Sequence, residues 1–176
     1  MLSRFEIIHR SRPVALVLPG SDREQPIAPY LAVEAMVTGP GRAELALASG
    51  DVTLVARYDD RGACLQVATG GTTTVHRSRR HGRPEGAVDG VALTLTGPHL
   101  VVLTLEDGAW RARGRVDLAE RVDPHDEHWL AGVESSATGP VAEVRSGRFG
   151  QVGLRDLRLV THADGTAYRE GDAVLL

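Results

Sequence analysis

LVVLTLEDGAWRARGRV, residues Leu100 to Val116, decides the fold class of this 176-residue chain. Two runs rich in strand-forming residues flank Asp107-Gly108, where a glycine supplies the positive φ that a tight hairpin loop needs. Because successive side chains of a strand point to opposite faces, the second run sorts into two sets. One face would carry Arg111, Arg113 and Arg115, and the other Trp110, Ala112, Gly114 and Val116. The stretch predicts an antiparallel hairpin with one solvated face and one buried face.

The same pattern extends along most of the chain. Glycine and proline punctuate short runs of Val, Leu and Thr, and no stretch keeps a helical period. The expected strands are Phe5–His9, Ala15–Leu18, Leu31–Thr38, Ala43–Ala48, Val52–Tyr58, Ala63–Ala68, Thr72–His76, Val91–Thr96, Leu100–Leu105, Trp110–Val116, Trp129–Ser135 and Gln151–Val160. Only Asp117 to Glu127 is expected to hold a helical turn, which Pro124 limits. Many short strands between turn signals predict an all-β sandwich or barrel.

Composition excludes several classes of chemistry. All 20 basic residues are arginine, and neither lysine nor asparagine occurs. The chain therefore has no Walker A lysine, no Schiff-base lysine and no N-glycosylation site. The net charge of −3 does not favour nucleic acid as a partner. The opening apolar run, Val14 to Leu18, is too short for a signal peptide or a membrane span. We expect a cytoplasmic protein without a membrane partner.

Three stretches carry a resemblance to a known family. They are YLAVEAMVTGPGRAELAL, VDGVALTLTGPHLVVLTLEDGAWRARG, and LAGVESSATG followed by GRFGQVGLRDLRLV. The succession from Tyr30 to Val160 resembles the concanavalin A-like, laminin-G-type jelly roll. That resemblance implies two antiparallel sheets packed as a β-sandwich over residues 1–160, with the last stretch forming a strand beside the first. It also implies core positions for Phe149 and Leu157 and a structural polar role for Asp156.

The final segment, residues 161–176, has a different character. It predicts a hairpin with strands Thr166–Arg169 and Asp172–Leu176, and it ends in the apolar residues AVLL. An unpaired apolar strand is an aggregation hazard, so it either pairs with the sandwich or belongs to a longer protein. The segment resembles the lead-in to the first blade of a five-bladed propeller glycosidase. We therefore expect a linker and the first strands of a following domain.

No catalytic constellation is visible. Sandwich glucanases align acidic residues along one strand as Glu-x-Asp-x-(x)-Glu, and the nearest candidates here lie in expected turns, at Glu106-Asp107 and from Asp123 to Glu127. Together with the resemblance, this predicts a non-catalytic accessory module that binds carbohydrate, with an adjacent catalytic domain in the same glycoside hydrolase-like polypeptide. The alternative is a freestanding lectin-like or protein-interaction domain that binds an anionic ligand through an Arg-rich face.

Five residues are the candidates for ligand binding. Arg111, Arg113 and Arg115 would form a row of guanidinium groups for an anionic glycan, or they are merely an exposed face paired with acids. Trp110 and Trp129 would stack on sugar rings, or they pack in the core.

Two further segments concentrate chemistry-bearing residues. The basic run from His76 to Arg83 is either a charged loop or an anion-binding loop. In the segment DPHDEH, His125 and His128 would converge on one metal ion if it forms a helical turn, but no third ligand can be named. No cofactor or metal site is assigned, and structural calcium, which many jelly rolls bind, stays open.

Overall fold

Two antiparallel five-stranded sheets form the body of the protein. The computed structural model describes residues 16–21, 28–118, 121–149, 161–170 and 173–174. Sheet I has the strand order β10-β1-β6-β7-β8, and sheet II has the order β5-β4-β3-β2-β9. The strands of sheet I are β1 (Tyr30–Val37), β6 (Gly90–Thr96), β7 (His99–Glu106), β8 (Ala109–Asp117) and β10 (Val141–Arg148). Those of sheet II are β2 (Ala43–Ser49), β3 (Val52–Asp59), β4 (Gly62–Thr69), β5 (Thr72–His76) and β9 (Glu134–Thr138). The expected antiparallel two-sheet β-sandwich is confirmed, and its strand order fits a jelly roll.

One apolar core fills the space between the sheets. Alternate residues of every central strand point inward, so Leu93 of sheet I is opposite Val33 and Val102 in the register, and all three are fully buried. Leu54 of sheet II, opposite Leu47 and Val67, is buried in the same cluster. Burial of each such side chain contributes roughly 1.5–3 kcal/mol to the free energy of folding. The alternation that predicted the strands therefore also builds the core.

The hairpin turns follow the glycine signals. Glu106 pairs with Ala109 across a two-residue loop in which Asp107 has φ 51° and Gly108 has φ 73°. Positive φ at both central positions is the type I′ geometry that matches strand twist. The predicted hairpin from Leu100 to Val116 is confirmed.

The segment around Trp129 was predicted wrongly as a strand. The short helix α1 (Glu127–Ala131) occupies its first part, and β9 begins only at Glu134. The reason lies in Asp126, whose carboxylate accepts hydrogen bonds from the backbone N–H groups of His128 (2.8 Å) and Trp129 (3.3 Å). Such an N-cap satisfies amides that a helix start leaves unpaired.

Strand β10 was not expected from the sequence. The chain leaves β9 of sheet II, passes through Gly139-Pro140 and enters sheet I as β10. Strand β10 lies beside β1, where Leu31 pairs with Arg148. A strand near the end of the sandwich thus returns beside β1, and Phe149 is half-buried against a second apolar cluster, which includes Leu16 and Val17. The other expected strands at both ends, Phe5–His9 and Gln151–Val160 with Asp156 and Leu157, lie outside the described residues.

A β-bulge in β8 overturns the predicted arginine face. Val102 pairs with Gly114 but the adjacent Leu103 pairs with Ala112, so Arg113 is an extra residue. The inserted residue shifts the alternation by one position. Gly114 and Val116 therefore face the core side of sheet I, whereas Trp110 and Ala112 face outward with Arg115. The prediction that the three arginines share one face is wrong.

The final segment contains a short hairpin whose first strand begins at Arg169, where the expected strand Thr166–Arg169 ends. Strand β11 (Arg169–Glu170) pairs with β12 (Ala173–Val174), and Thr161 forms an isolated bridge with Ala167. Among the described residues, no helix is long and apolar enough to cross a membrane.

Candidate functional site

The bulge turns Arg113 into the largely buried salt-bridge partner of Glu106, with 12% of the arginine side chain exposed. Its Nε donates hydrogen bonds of 2.9 Å to both the Thr104 hydroxyl and the Glu106 carboxylate, and its terminal N–H groups reach Glu106 and the carbonyl oxygen of His81. Glu106 is only 4% exposed, although its sequence position predicted a turn. Burial alone would raise the pKa of Glu106, but hydrogen bonds from Arg113 and Thr104 and the nearby arginine charges hold that pKa below its usual range.

The other two arginines of the predicted row lie elsewhere. Arg111 is exposed and opposite Thr104, on the inward side of the sheet beyond the bulge. Arg115 faces outward, with a terminal nitrogen 3.0 Å from the imidazole of His99. The three guanidinium groups do not converge, so the structure supplies no common anion site from them.

Trp129 packs against the main core from α1. Its indole Nε1 is the single buried side-chain polar atom without a hydrogen bond among the described residues. The structure brings Trp129 and Trp110 to different places in the fold, because Trp110 packs with the second cluster on the outer face of sheet I.

Trp110 lines an open cleft of about 330 Å³ on that outer face. It pairs with Leu105, which pairs with Gly90, so the three residues form one row across β8, β7 and β6. A Cβ atom at Gly90 would lie 3.3 Å from Cη2, at the far edge of the indole. The ring therefore extends over the sheet surface, and the absence of a side chain at Gly90 lets it lie there.

Charged side chains flank the indole. Arg145 of β10 donates a 3.2 Å hydrogen bond to Glu34 of β1, and both residues line the cleft with Glu143. Glu143 lies in a second bulge, because Glu34 pairs with Arg145 while Met36 pairs with Ala142. Its φ of 52° is unusual for a residue with a side chain. Strained residues of this kind cluster at functional sites, and Glu143 lines the same cleft as Trp110.

We expect Glu143→Gly to raise the free energy of unfolding by about 0.5–1 kcal/mol, because glycine adopts positive φ without a steric penalty. Glu134→Gly, in an ordinary exposed strand position of β9, is the matched control and should lower the same quantity by about 0.5–1 kcal/mol. Urea unfolding of both variants measures the difference. Equal losses in the two variants would show that the backbone at Glu143 is not strained.

In the segment DPHDEH, which the sequence offered as a source of metal ligands, two aspartate side chains instead accept hydrogen bonds from nearby backbone N–H groups. The carboxylate of Asp123 accepts a 2.9 Å hydrogen bond from the backbone N–H of His125, and Asp126 caps α1. In the part of the chain that the structure describes, no three His, Cys, Asp or Glu side chains come together as a metal site.

Sequence reasoning found Trp110 but missed its neighbours. Glu34 and Arg145 are far apart in the sequence and meet only because β10 pairs with β1. The Gly139-Pro140 dipeptide was the available signal, since this pair marks a chain reversal. Recognising it would have predicted a strand from Val141 and placed Arg145 near β1.

Comparisons with known proteins give fold-level likenesses only. No protein-family model matches the sequence, and no curated protein matches it. Tailspike protein 2 of Escherichia coli O157:H7 bacteriophage CAB120 is similar with a TM-score of 0.46 and 17% identity over 69% of this chain and 20% of the tailspike. The chain thus spans a small part of that protein.

Two further solved structures are similar to the chain. Galectin LEC-6 of Caenorhabditis elegans has a TM-score of 0.44 and 14% identity over 73% of this chain and 92% of the galectin. The CBM2 module of the evolved Dit protein of Lactobacillus casei BL23 phage J-1 has a TM-score of 0.35 and 12% identity, over 71% of this chain and 56% of the phage chain. Since all three TM-scores are below 0.5, the architecture rests on the two sheets themselves.

Proposed function

We propose that the chain is a non-catalytic carbohydrate-binding module, in which a sugar ring stacks on Trp110. The observation that carries this proposal is the placement of the indole along the outer face of sheet I, in a cleft flanked by Glu34, Glu143 and Arg145. An aromatic surface with a few polar groups around it is a common composition for a small-molecule site. Trp110 is the aromatic surface of this cleft, and Glu34, Glu143 and Arg145 are the charged groups around it.

The chemistry of the cleft suits a pyranose. The C–H groups of one sugar face pack against an aromatic ring, which is apolar over a large area. Hydroxyl groups at the edge of the sugar donate to carboxylates and accept from guanidinium N–H groups. Glu34 and Arg145 already contact each other, so they offer both kinds of partner in a fixed arrangement.

The accessory role is the second part of the proposal. It is supported by the resemblance of residues 161–176 to the start of a propeller glycosidase, and by the hairpin that these residues form. In this role the sandwich holds a polysaccharide near an adjacent catalytic domain of a longer glycoside hydrolase-like polypeptide. The alternative, an anionic ligand on an arginine face of β8, loses its structural basis because the bulge separates the three guanidinium groups.

A glycan-binding screen of the chain, followed by calorimetric titration of the best oligosaccharide, tests the proposal. We expect Trp110→Ala to weaken binding at least about tenfold, equivalent to about 1.4 kcal/mol. Tyr30→Ala removes an exposed aromatic ring at the far end of the same sheet face and should leave affinity within about twofold. The proposal fails if the screen finds no glycan, or if both variants bind equally well.

A further inference from the structure

A second cleft, separate from Trp110, concentrates arginine side chains at one end of sheet II. It has a volume of about 430 Å³ and opens to solvent. Its lining residues come from the loops that precede β2, join β3 to β4 and follow β5, together with the end of β3. They are Gly41, Arg42, Arg57, Asp59, Asp60, Arg61 and Arg77. Four arginines and two aspartates thus line this cleft, in a chain whose overall net charge is −3.

Two of these arginines are held in place. Arg57 pairs with Glu44 across β3 and β2, with its Nε 2.7 Å from the Glu44 carboxylate. Because Arg57 uses only Nε for its contacts with the described residues, the terminal N–H groups of the fork are the donors offered to a ligand. Arg77 donates a 2.6 Å hydrogen bond to the carbonyl oxygen of Arg61. A guanidinium fixed in this way loses less conformational entropy when it binds.

The loop that carries Arg77 is anchored to β4. The backbone N–H of Ala63 donates to the carbonyl oxygen of Gly82 at 2.7 Å, and the N–H of Gly82 donates to Ser78. Gly62 permits this approach, because a Cβ atom there would lie 2.3 Å from the Gly82 oxygen. The basic run that the sequence singled out is therefore an anchored loop, and its Arg77 lines the cleft.

The other two arginines of the cleft, Arg42 and Arg61, are positively charged and exposed to solvent. Within the described residues, neither side chain forms a hydrogen bond or ion pair. Asp59 accepts a hydrogen bond from the backbone N–H of Arg61 at 2.9 Å, which leaves carboxylate lone pairs for further donors. The cleft consequently offers strong donors for an anion and acceptors for hydroxyl groups side by side.

We propose that this cleft binds an acidic saccharide, a sugar that carries a carboxylate or sulfate group. Guanidinium forks match the paired oxygens of such groups, while Asp59 and Asp60 accept hydrogen bonds from the sugar hydroxyls. Because the overall charge is negative, general attraction to polyanions is weak and recognition depends on the local arrangement. This inference rests on the proposed carbohydrate-binding function and assigns a second, charge-selective site to it.

The test is calorimetric titration of the chain with a galacturonate oligosaccharide, a heparin-derived oligosaccharide of similar length and a neutral oligosaccharide. We expect Arg42→Gln/Arg61→Gln to weaken binding of the acidic saccharides at least about tenfold. Arg79→Gln/Arg80→Gln has the same change in net charge and alters exposed side chains outside the cleft lining; it should stay within about twofold. Because heparin carries uronate carboxylates as well as sulfates, tighter binding of the heparin-derived oligosaccharide would show that sulfate groups add to recognition.

Three outcomes overturn the inference: neither acidic saccharide binds, the two double variants lose affinity equally, or the cleft variant binds as the unmodified protein does. Trp110→Ala is titrated in the same series. A loss of neutral-sugar binding in that variant, together with intact acidic-sugar binding in Arg42→Gln/Arg61→Gln, would reject the arginine cleft and retain the proposed function. Thermal unfolding of each variant verifies that it is folded.

Discussion

Replacement of Glu106 by glutamine is expected to lower the free energy of unfolding by about 3–5 kcal/mol. The glutamine cannot neutralise Arg113, whose side chain is only 12% exposed, so a positive charge stays buried without its counter-ion. The glutamine also replaces one carboxylate oxygen by an amide NH₂ group, so a terminal N–H of Arg113 that now donates to Glu106 would face a second donor. Unpaired buried polar groups carry their full desolvation cost. Urea unfolding at neutral pH measures the difference.

The matched control is Glu44→Gln. This carboxylate also pairs with an arginine across two strands, but its side chain is 29% exposed. Water therefore solvates Arg57 when the partner is lost, and the expected cost is below about 1 kcal/mol. Glu106→Met/Arg113→Met should cost less than Glu106→Gln alone, because both charges leave together. Equal costs for Glu106→Gln and Glu44→Gln would contradict the buried character of the Glu106–Arg113 pair.

The same salt bridge predicts a pH dependence. The pKa of Glu106 is lower in the folded protein than its ordinary value of 4.5, so the unfolded chain binds a proton more readily. The stabilisation is fully present above the unfolded pKa and is lost as pH falls through the lower, folded pKa. The Glu106→Gln variant should therefore lose less stability than the unmodified protein as pH falls below about 4.5. An identical acid dependence would contradict the direction of the shift.

Gly139→Ala is expected to have the second largest effect, a loss of about 3–5 kcal/mol in the free energy of unfolding. Gly139 has φ 92°, and a Cβ atom there would lie 1.9 Å from the backbone oxygen of Arg42. A backbone atom cannot rotate away as a side chain can. The clash also occurs where the chain passes from sheet II to sheet I, next to the hydrogen bond from Thr38 to Pro140.

Gly71→Ala separates the clash from the backbone strain. Gly71 has φ 75° and nothing within 4 Å of its Cβ position. Its substitution by alanine therefore lowers the free energy of unfolding only through the strained backbone conformation, by about 1–2 kcal/mol. Chemical unfolding of both variants gives the comparison. If Gly139→Ala costs no more than Gly71→Ala, the close approach of the two backbones is not a constraint on the crossover.

Most of the sandwich could be predicted from the sequence because its central strands are regular. Alternation of apolar and polar residues, with glycine at the turns, placed every strand from β1 to β8 within about two residues. The predictions of which side chains share a face failed where a β-bulge inserts one extra residue and so reverses the inward and outward alternation beyond it. Arg113 in β8 and the bulge at Glu143 in β10 are both of this kind. Neither can be seen in one strand alone, because a bulge is defined by the pairing with its neighbour.

The candidate site was predictable only in part for a related reason. Trp110 stands out as one of two tryptophans, but its partners come from β1 and β10, which the topology brings together. The missing side chain of Gly90 makes room for the indole, and only the pairing of β6, β7 and β8 brings the two residues together. The helix cap at Asp126 explains the other error, because a side chain that satisfies backbone amides can override a weak strand pattern.

The most direct test of carbohydrate binding at Trp110 is a proton–nitrogen correlation spectrum of the ¹⁵N-labelled chain during titration with the best glycan from the screen. The two tryptophans give two indole N–H signals, one from the outer face of sheet I and one from the core. The account predicts that the Trp110 signal shifts as ligand is added while the Trp129 signal stays in place. A shift confined to Trp129, or saturating binding that moves neither signal, would contradict it.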